Sequence, residues 1–137
     1  MQLAVGMTLA WIAVVDLRSH RIPNRALKVL TLLSVIYSVR SGFIWVDQFL
    51  VAFSLLIVGI GFWRFLNLGM GDVKLLVIMA LLLIPATLGT YYLFTTLFSM
   101  IALMHLLAQA LIFRSFSQPL PLAPSLVLAF ISLHYLK

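Results

Sequence analysis

The chain has 137 residues, of which 64% are hydrophobic and 9% charged, and its mean hydropathy is +1.20. Because a soluble domain carries roughly a quarter charged residues, this composition excludes an ordinary soluble protein and indicates an integral membrane protein. The absence of cysteine excludes disulfides, a thiol nucleophile and a thiolate metal site. The three histidines are scattered without metal-ligand spacing, so we expect no metal and no other cofactor.

Apolar runs separated by helix breakers predict an all-α, polytopic membrane protein with about six transmembrane helices, in a single domain over residues 1–137. Proline disfavours helix in the residue before it, so Ile22-Pro23-Asn24 ends the first loop, and we expect Asn24 to cap the second helix. Residues 73–113 are long enough for two spans, with a reversal at Pro85 and Gly89. The predicted helices are Met1–Val15, Arg25–Val39, Phe49–Leu66, Val73–Leu83, Tyr91–Phe113 and Ser125–Leu136.

The distribution of basic residues predicts the orientation of these helices. The net charge of +6 would suit nucleic acid, but the basic residues lie between apolar runs, so a lipid bilayer is the expected partner and nucleic acid is not. Alternating the loops puts seven basic residues on one side and two on the other, which makes the first side cytoplasmic. The seven are Arg18, Arg21, Arg25, Lys28, Arg64, Lys74 and Arg114, and the two are Arg40 and Lys137.

The chain has three acidic residues, Asp16, Asp47 and Asp72. An ionisable residue at a membrane edge is a candidate functional residue. Asp16 and Asp72 share the predicted cytoplasmic edge, whereas Asp47 lies on the opposite side and is expected to be an ordinary loop charge. Gly69 and Gly71 precede Asp72, and this spacing predicts a tight turn, with a positive φ where only glycine is comfortable.

Two carboxylates on one membrane face can form an acid–base pair. At about 5 Å separation and an effective dielectric constant of about 20, two negative charges repel by about 3 kcal/mol, so one of them holds a proton near neutral pH. The ionised carboxylate can then activate water, while the protonated one donates to the carbonyl oxygen and the leaving amine, as in aspartic proteases.

Simpler interpretations of these residues remain open at this point. Asp16 could pair with Arg18 or Arg21 as an interfacial charge, and Asp72 could pair with Lys74 or cap the fourth helix. Lys74 could equally be an orientation signal.

His105 and Gln109 lie four residues apart on one side of the fifth helix. Interhelical hydrogen bonding explains them better than ligand binding does.

Two segments resemble the signatures of the type IV prepilin peptidases, which are aspartic peptidases of the GxGD type. The segment Asp16-Leu17-Arg18-Ser19-His20-Arg21-Ile22-Pro23-Asn24 is similar to the first signature, and Gly69-Met70-Gly71-Asp72-Val73-Lys74-Leu75 is similar to the second. Pro121-Leu122-Ala123-Pro124 resembles a proline-rich segment before the last helix of that family, with Leu122 where an aromatic residue is common.

The resemblance implies a membrane-embedded aspartic endopeptidase that cleaves the basic leader from prepilin or pseudopilin precursors at the cytoplasmic face of a bacterial or archaeal inner membrane, alongside pilus-assembly components. By the same resemblance Asp16 and Asp72 would be catalytic, with Gly69, Gly71, Lys74, Pro23 and Asn24 in supporting roles. Larger family members carry a four-cysteine cytosolic domain and also methylate the new N-terminus, so this chain is more similar to the short, peptidase-only members of Tad/Flp systems.

Other classes of protein are also compatible with the residues. Presenilin-like proteases share Gly-x-Gly-Asp, but they lack Ile-Pro-Asn after the first aspartate. A small proton- or cation-coupled transporter could use the same aspartates as a relay, although a relay would usually place a carboxylate nearer the middle of the bilayer. The third alternative is a non-catalytic scaffold of a pilus or secretion apparatus.

Overall fold

The computed structural model describes residues 2–19, 21–41, 45–66, 69–113 and 122–136. Within these ranges every regular element is an α-helix and no strand is present, which confirms the all-α prediction. The six helices are α1 (Gln2–Ser19), α2 (Asn24–Ser41), α3 (Trp45–Leu66), α4 (Met70–Leu82), α5 (Leu88–Phe113) and α6 (Ala123–Leu136). Most of the predicted loop at 114–124 lies outside the described residues, as does His20.

The helices extend further into the polar segments than their apolar runs predict. Helix α1 continues past Asp16 to Ser19. Helix α3 begins at Trp45, so the prediction that Asp47 lies in a loop is wrong, and this exposed residue stands in the first turn of a helix. The physical reason is that a helix satisfies its own backbone hydrogen bonds, and its polar side chains can point outward.

The start of α2 differs by one residue from the prediction. The carbonyl oxygen of Pro23 accepts the backbone N–H groups of Ala26 at 3.0 Å and Leu27 at 3.3 Å. Pro23 therefore occupies the N-cap position. Asn24 is the first helical residue, so the prediction that it caps the helix is wrong.

Four helices form the centre of the bundle. Helix α1 contacts α2 and α6, and α4 contacts the same two helices from the other side. Helix α3 packs on α4, and α5 packs on α6. All four of these helices contribute fully buried residues at the centre, and the largest apolar ones include Leu9, Ile12, Leu30, Leu75 and Met79.

The two outer helices carry the longest apolar surfaces. Val46–Arg64 of α3 and Leu88–Gln109 of α5 are long and apolar enough to cross a membrane, with mean hydropathies of 1.9 and 1.6. Only 17% of the first span and 6% of the second is buried. A soluble protein would bury such helices in its core, whereas here the apolar side chains face outward and need lipid or a partner to cover them. Membrane crossing by the other four helices stays a prediction.

The packing of α3 on α4 depends on Gly59. A Cβ atom at Gly59 would stand 2.6 Å from Cγ1 of the buried Val73, whose β-branched side chain is stiff. We expect Gly59→Ala to force the helices apart and to lower the free energy of unfolding by roughly 1–3 kcal/mol, the usual cost of overpacking. Thermal unfolding of the purified protein in detergent measures this effect.

Gly61→Ala provides the matched control on the same helix. A Cβ atom at Gly61 would meet nothing within 4 Å. Replacing an unconstrained helical glycine by alanine stabilises a helix by up to about 1 kcal/mol. An equal change in the unfolding temperature of the two variants would contradict the close packing of α3 on α4.

Candidate active site

Asp16 lies in the last turn of α1 and is buried, with 3% of its surface exposed. The chain then reverses, and the hydroxyl of Ser19 donates to the carbonyl oxygens of Val15 at 2.8 Å and Arg21 at 3.2 Å. Both bonds satisfy carbonyl groups at the reversal between α1 and α2. Asp16 is therefore held on a rigid helix, and its burial does not fit a solvated interfacial charge.

Asp72 lies in the first turn of α4 and is also buried, with 8% of its surface exposed. Gly69 is the N-cap residue of α4, and no side chain caps this helix. Asp72 does not cap the helix, and within the described residues it forms no ion pair with Lys74, which is exposed. Its Oδ1 atom is buried and has no hydrogen-bond partner among the described residues.

The two carboxyl groups interact electrostatically with each other and with the backbone N–H at the start of α6. Burial raises the pKa of Asp72 well above that of an ordinary aspartate, and the charge of Asp16 raises it further. The backbone N–H of Ala123, the first residue of α6, donates to Oδ2 of Asp16 at 3.3 Å. A hydrogen bond from the same N–H lowers the pKa of Asp72 and so opposes part of the rise. The N–H of Ala123 thus favours the ionised form of both carboxyl groups, and it lies at the positive end of a helix dipole.

We call the part of the bundle that holds these groups the aspartate end. Helix α1 ends there, and α2, α4 and α6 begin there. Asp72 lies outside both candidate membrane spans, Val46–Arg64 and Leu88–Gln109. The geometry brings the two predicted catalytic residues together at one end of four helices. It leaves Asp47 elsewhere, near the start of α3 and roughly 28 Å from the end of that helix.

The two glycines of the second signature serve close packing, and the predicted positive φ is wrong. Gly69 has φ −62° and ψ 127°, which any residue adopts. A Cβ atom at Gly69 would stand 2.8 Å from Oδ2 of Asp72, and one at Gly71 would stand 3.0 Å from Cβ of Ile22. Gly69 therefore makes room for the carboxylate, and Gly71 lets the first turn of α4 touch the Ile22-Pro23-Asn24 segment.

The other predicted supporting residues lie near the starts of α2 and α4. Asn24 and Lys74 line one open groove between α2 and α4, whose lining includes neither Asp16 nor Asp72. Pro23 begins α2 next to Ile22.

Sequence reasoning missed the contribution of α6. The N–H of Ala123 is a backbone group and has no signature in the sequence, although the proline-rich segment around it is part of the resemblance. Two residues on, the fully buried hydroxyl of Ser125 lies 3.4 Å from Nδ1 of His105. This contact joins α5 to α6 and confirms the interhelical role predicted for His105.

The arrangement defines a class of helical protein with a candidate acid–base site where its helices end. A family model described as the type IV leader peptidase family matches residues 3–109, and the chain belongs to that family. The family is membrane-associated, its members are peptidases, and its substrates are of the prepilin type. Neither the characterised proteins nor the solved structures give a significant match to the chain. The match ends before α6, so the contribution of Ala123 rests on the structure alone.

The contact between Gly71 and Ile22 can be tested by adding one methyl group. Gly71→Ala places a Cβ atom against Cβ of Ile22, which cannot rotate away, and therefore shifts the first turn of α4. A displacement of about 1 Å in a catalytic group can cost about a hundredfold in rate. We expect processing of a co-expressed prepilin to fall at least about tenfold while the protein remains abundant.

Gly89→Ala is the control for this substitution, because a Cβ atom there meets nothing within 4 Å. It should process the precursor at the wild-type rate. Unchanged processing by Gly71→Ala would show that this contact does not position Asp72.

The raised pKa of Asp72 predicts a pH-dependent stability. Because the folded chain holds this proton more tightly than the unfolded chain, the stabilisation is fully present below the ordinary aspartate pKa of about 4 and is lost as the pH rises through the raised value. The free energy of unfolding should therefore decrease with rising pH. Asp72→Asn should flatten this dependence and should be the more stable protein at the alkaline end.

Thermal unfolding in detergent between about pH 5 and pH 8 measures the slope for each variant. Asp47→Asn, which removes an exposed carboxylate, is the control and should retain the wild-type slope. A wild-type slope in Asp72→Asn would assign the pH dependence to another group.

Proposed function

We propose that the chain is an aspartic endopeptidase that removes the basic leader from prepilin or pseudopilin precursors at the cytoplasmic face of the inner membrane. The observation that carries this proposal is the burial of Asp16 and Asp72 at one end of the bundle, where each acts on the other's charge. The whole chain would act as one transmembrane peptidase domain.

In the proposed mechanism the pair holds one proton. Asp72 carries it, because its pKa is raised by burial and by the charge of Asp16. Ionised Asp16, stabilised by the N–H of Ala123, takes a proton from water as the water oxygen attacks the scissile carbonyl carbon. Asp72 donates its proton to the carbonyl oxygen. When the tetrahedral intermediate collapses, the proton on Asp16 passes to the leaving nitrogen and the C–N bond breaks. One hydroxyl group of the intermediate returns its proton to Asp72, which leaves a carboxylic acid product and restores the starting protonation of the pair.

The charge distribution supports the proposed orientation. Arg18 lies at the end of α1, and Arg25 and Lys28 lie near the start of α2. Arg64 and Lys74 flank the start of α4. Basic residues mark the cytoplasmic side of membrane proteins. The aspartate end would then face the cytoplasm, where a precursor with its leader still attached is available.

The paired carboxylates also separate this proposal from the alternatives. A proton relay through the membrane needs a carboxylate near the middle of the bundle. Within the described residues the acidic side chains are all near helix ends, at Asp16, Asp47 and Asp72. A scaffold would have no use for a buried carboxylate oxygen that lacks a hydrogen-bond partner among the described residues.

The decisive test removes one carboxylate at a time. We expect Asp16→Asn and Asp72→Asn each to reduce processing of a co-expressed prepilin by at least about a hundredfold, the scale of general acid–base catalysis. Because the two residues act as a unit, the double variant should be no worse than either single variant. Neither substitution should lower protein abundance, since asparagine is nearly isosteric and removes the repulsion between like charges.

Asp47→Asn is the control and should process the precursor normally. Processing and abundance are measured together in all four variants. Wild-type processing by either single active-site variant would contradict the assignment of Asp16 and Asp72 as the catalytic pair. A fall in abundance that tracks the loss of processing would indicate a structural role.

A further inference from the structure

A second feature at the aspartate end is a groove of about 770 Å³ between α2 and α4, with Leu56 of α3 on its far side. Its upper part is polar and contains Asn24, Lys28 and Lys74. Its lower part is apolar and includes Leu32 and Val77. We call it the lysine groove.

The two lysines of the groove have no anionic partner within the described residues. Of the three acidic side chains, those of Asp16 and Asp72 are buried at the centre of the bundle, and that of Asp47 is at the far end of α3. Lys28 and Lys74 are both exposed and line the same groove, so an anion that neutralises them must come from outside the chain.

The lower part of the groove determines what kind of anion fits. The polar atom that its wall offers is the hydroxyl of Thr31, and this group already donates to the carbonyl oxygen of Leu27 at 2.8 Å. Leu32 is 64% exposed on the same wall, one helical turn below Lys28. A small soluble anion would leave this apolar surface uncovered, whereas a ligand with both an anionic head and an apolar chain covers both parts.

We propose that the lysine groove binds an anionic phospholipid, with the phosphate between Lys28 and Lys74 and one acyl chain along Leu32 and Val77. Basic pockets between helices at a membrane surface bind anionic headgroups in this way. The precursor is the other possible occupant. Its leader is basic, so two lysines at the mouth of the groove repel it.

The absence of cysteine from the chain makes a direct test possible. Leu32→Cys places a single thiol in the groove for a fluorescent probe. Leu103→Cys, on the exposed surface of α5, is a matched position, because both lie roughly 12–15 Å along their helices from the aspartate end. The labelled full-length proteins are reconstituted in phosphatidylcholine bilayers that contain a small fraction of spin-labelled phosphatidylglycerol or spin-labelled phosphatidylcholine, and quenching of the probe is measured.

At position 32 we expect spin-labelled phosphatidylglycerol to be preferred over phosphatidylcholine on the order of tenfold, and at position 103 we expect no preference. Lys28→Gln combined with Lys74→Gln should abolish the preference at position 32. Arg25→Gln combined with Arg64→Gln removes the same charge outside the groove and should preserve it. Salt at about 1 M should reduce the preference for phosphatidylglycerol in the protein that keeps both lysines, because salt screens the attraction. This measurement tests the role of charge without relying on the folding of the lysine variant.

Three results would overturn the proposal. Equal quenching by the two lipids at position 32 would show that the groove does not select charge. A preference that survives loss of both lysines would place the headgroup elsewhere. Protection of the probe by a prepilin leader peptide, with no effect of phosphatidylglycerol, would make the groove a substrate site.

Discussion

The repulsion between two buried carboxylates is the constraint on which the centre of the bundle depends. Removing Asp16 and Asp72 from water makes their mutual repulsion stronger. The repulsion helps to raise the pKa of Asp72, and the backbone N–H of Ala123 stabilises the charge of Asp16 by donating a hydrogen bond to it. These groups belong to α1, α4 and α6, so three central helices must meet at one end. Helix α2 completes the arrangement, because Ile22 at its start touches Gly71.

Among the described residues, the two outer helices are the ones that are both long and apolar enough to cross a membrane. Helices α3 and α5 present their apolar side chains outward, and they have few charges to interrupt them. Helices α1 and α2 carry Asp16 and several basic residues, and α4 and α6 are shorter. Length and hydropathy therefore identify the two outer helices as candidate spans, and membrane crossing by the four central helices stays a prediction.

The distribution of basic residues predicted that Asp16 and Asp72 share one end of the bundle. Hydropathy and helix breakers were sufficient to predict the helical class and the order of the helices. They could not predict where each helix ends, because a polar residue such as Asp47 can continue a helix as easily as end it. The prediction that the glycines adopt a positive φ was wrong for a related reason. Glycine permits both unusual backbone angles and the close approach of two segments, and the sequence does not show which of the two is needed. The closeness of Gly71 to Ile22 becomes known only when these distant segments are folded together. The Ala123 N–H could not be predicted because every residue except proline carries this group.

The spacing of Asp72 and Lys74 links the candidate active site to the lysine groove. Residues two apart on an α-helix point in directions about 200° apart, so the first turns of α4 present the carboxylate to the centre and the ammonium group to the opposite side. Asp72 is accordingly buried and Lys74 exposed. A lipid headgroup bound to Lys74 and Lys28 would bridge α4 and α2 at the exposed side of the bundle. The close approach of Gly71 to Ile22 links the same two helices in the interior. The position of Asp72 relative to Asp16 would then depend on the membrane as well as on the packing of the chain.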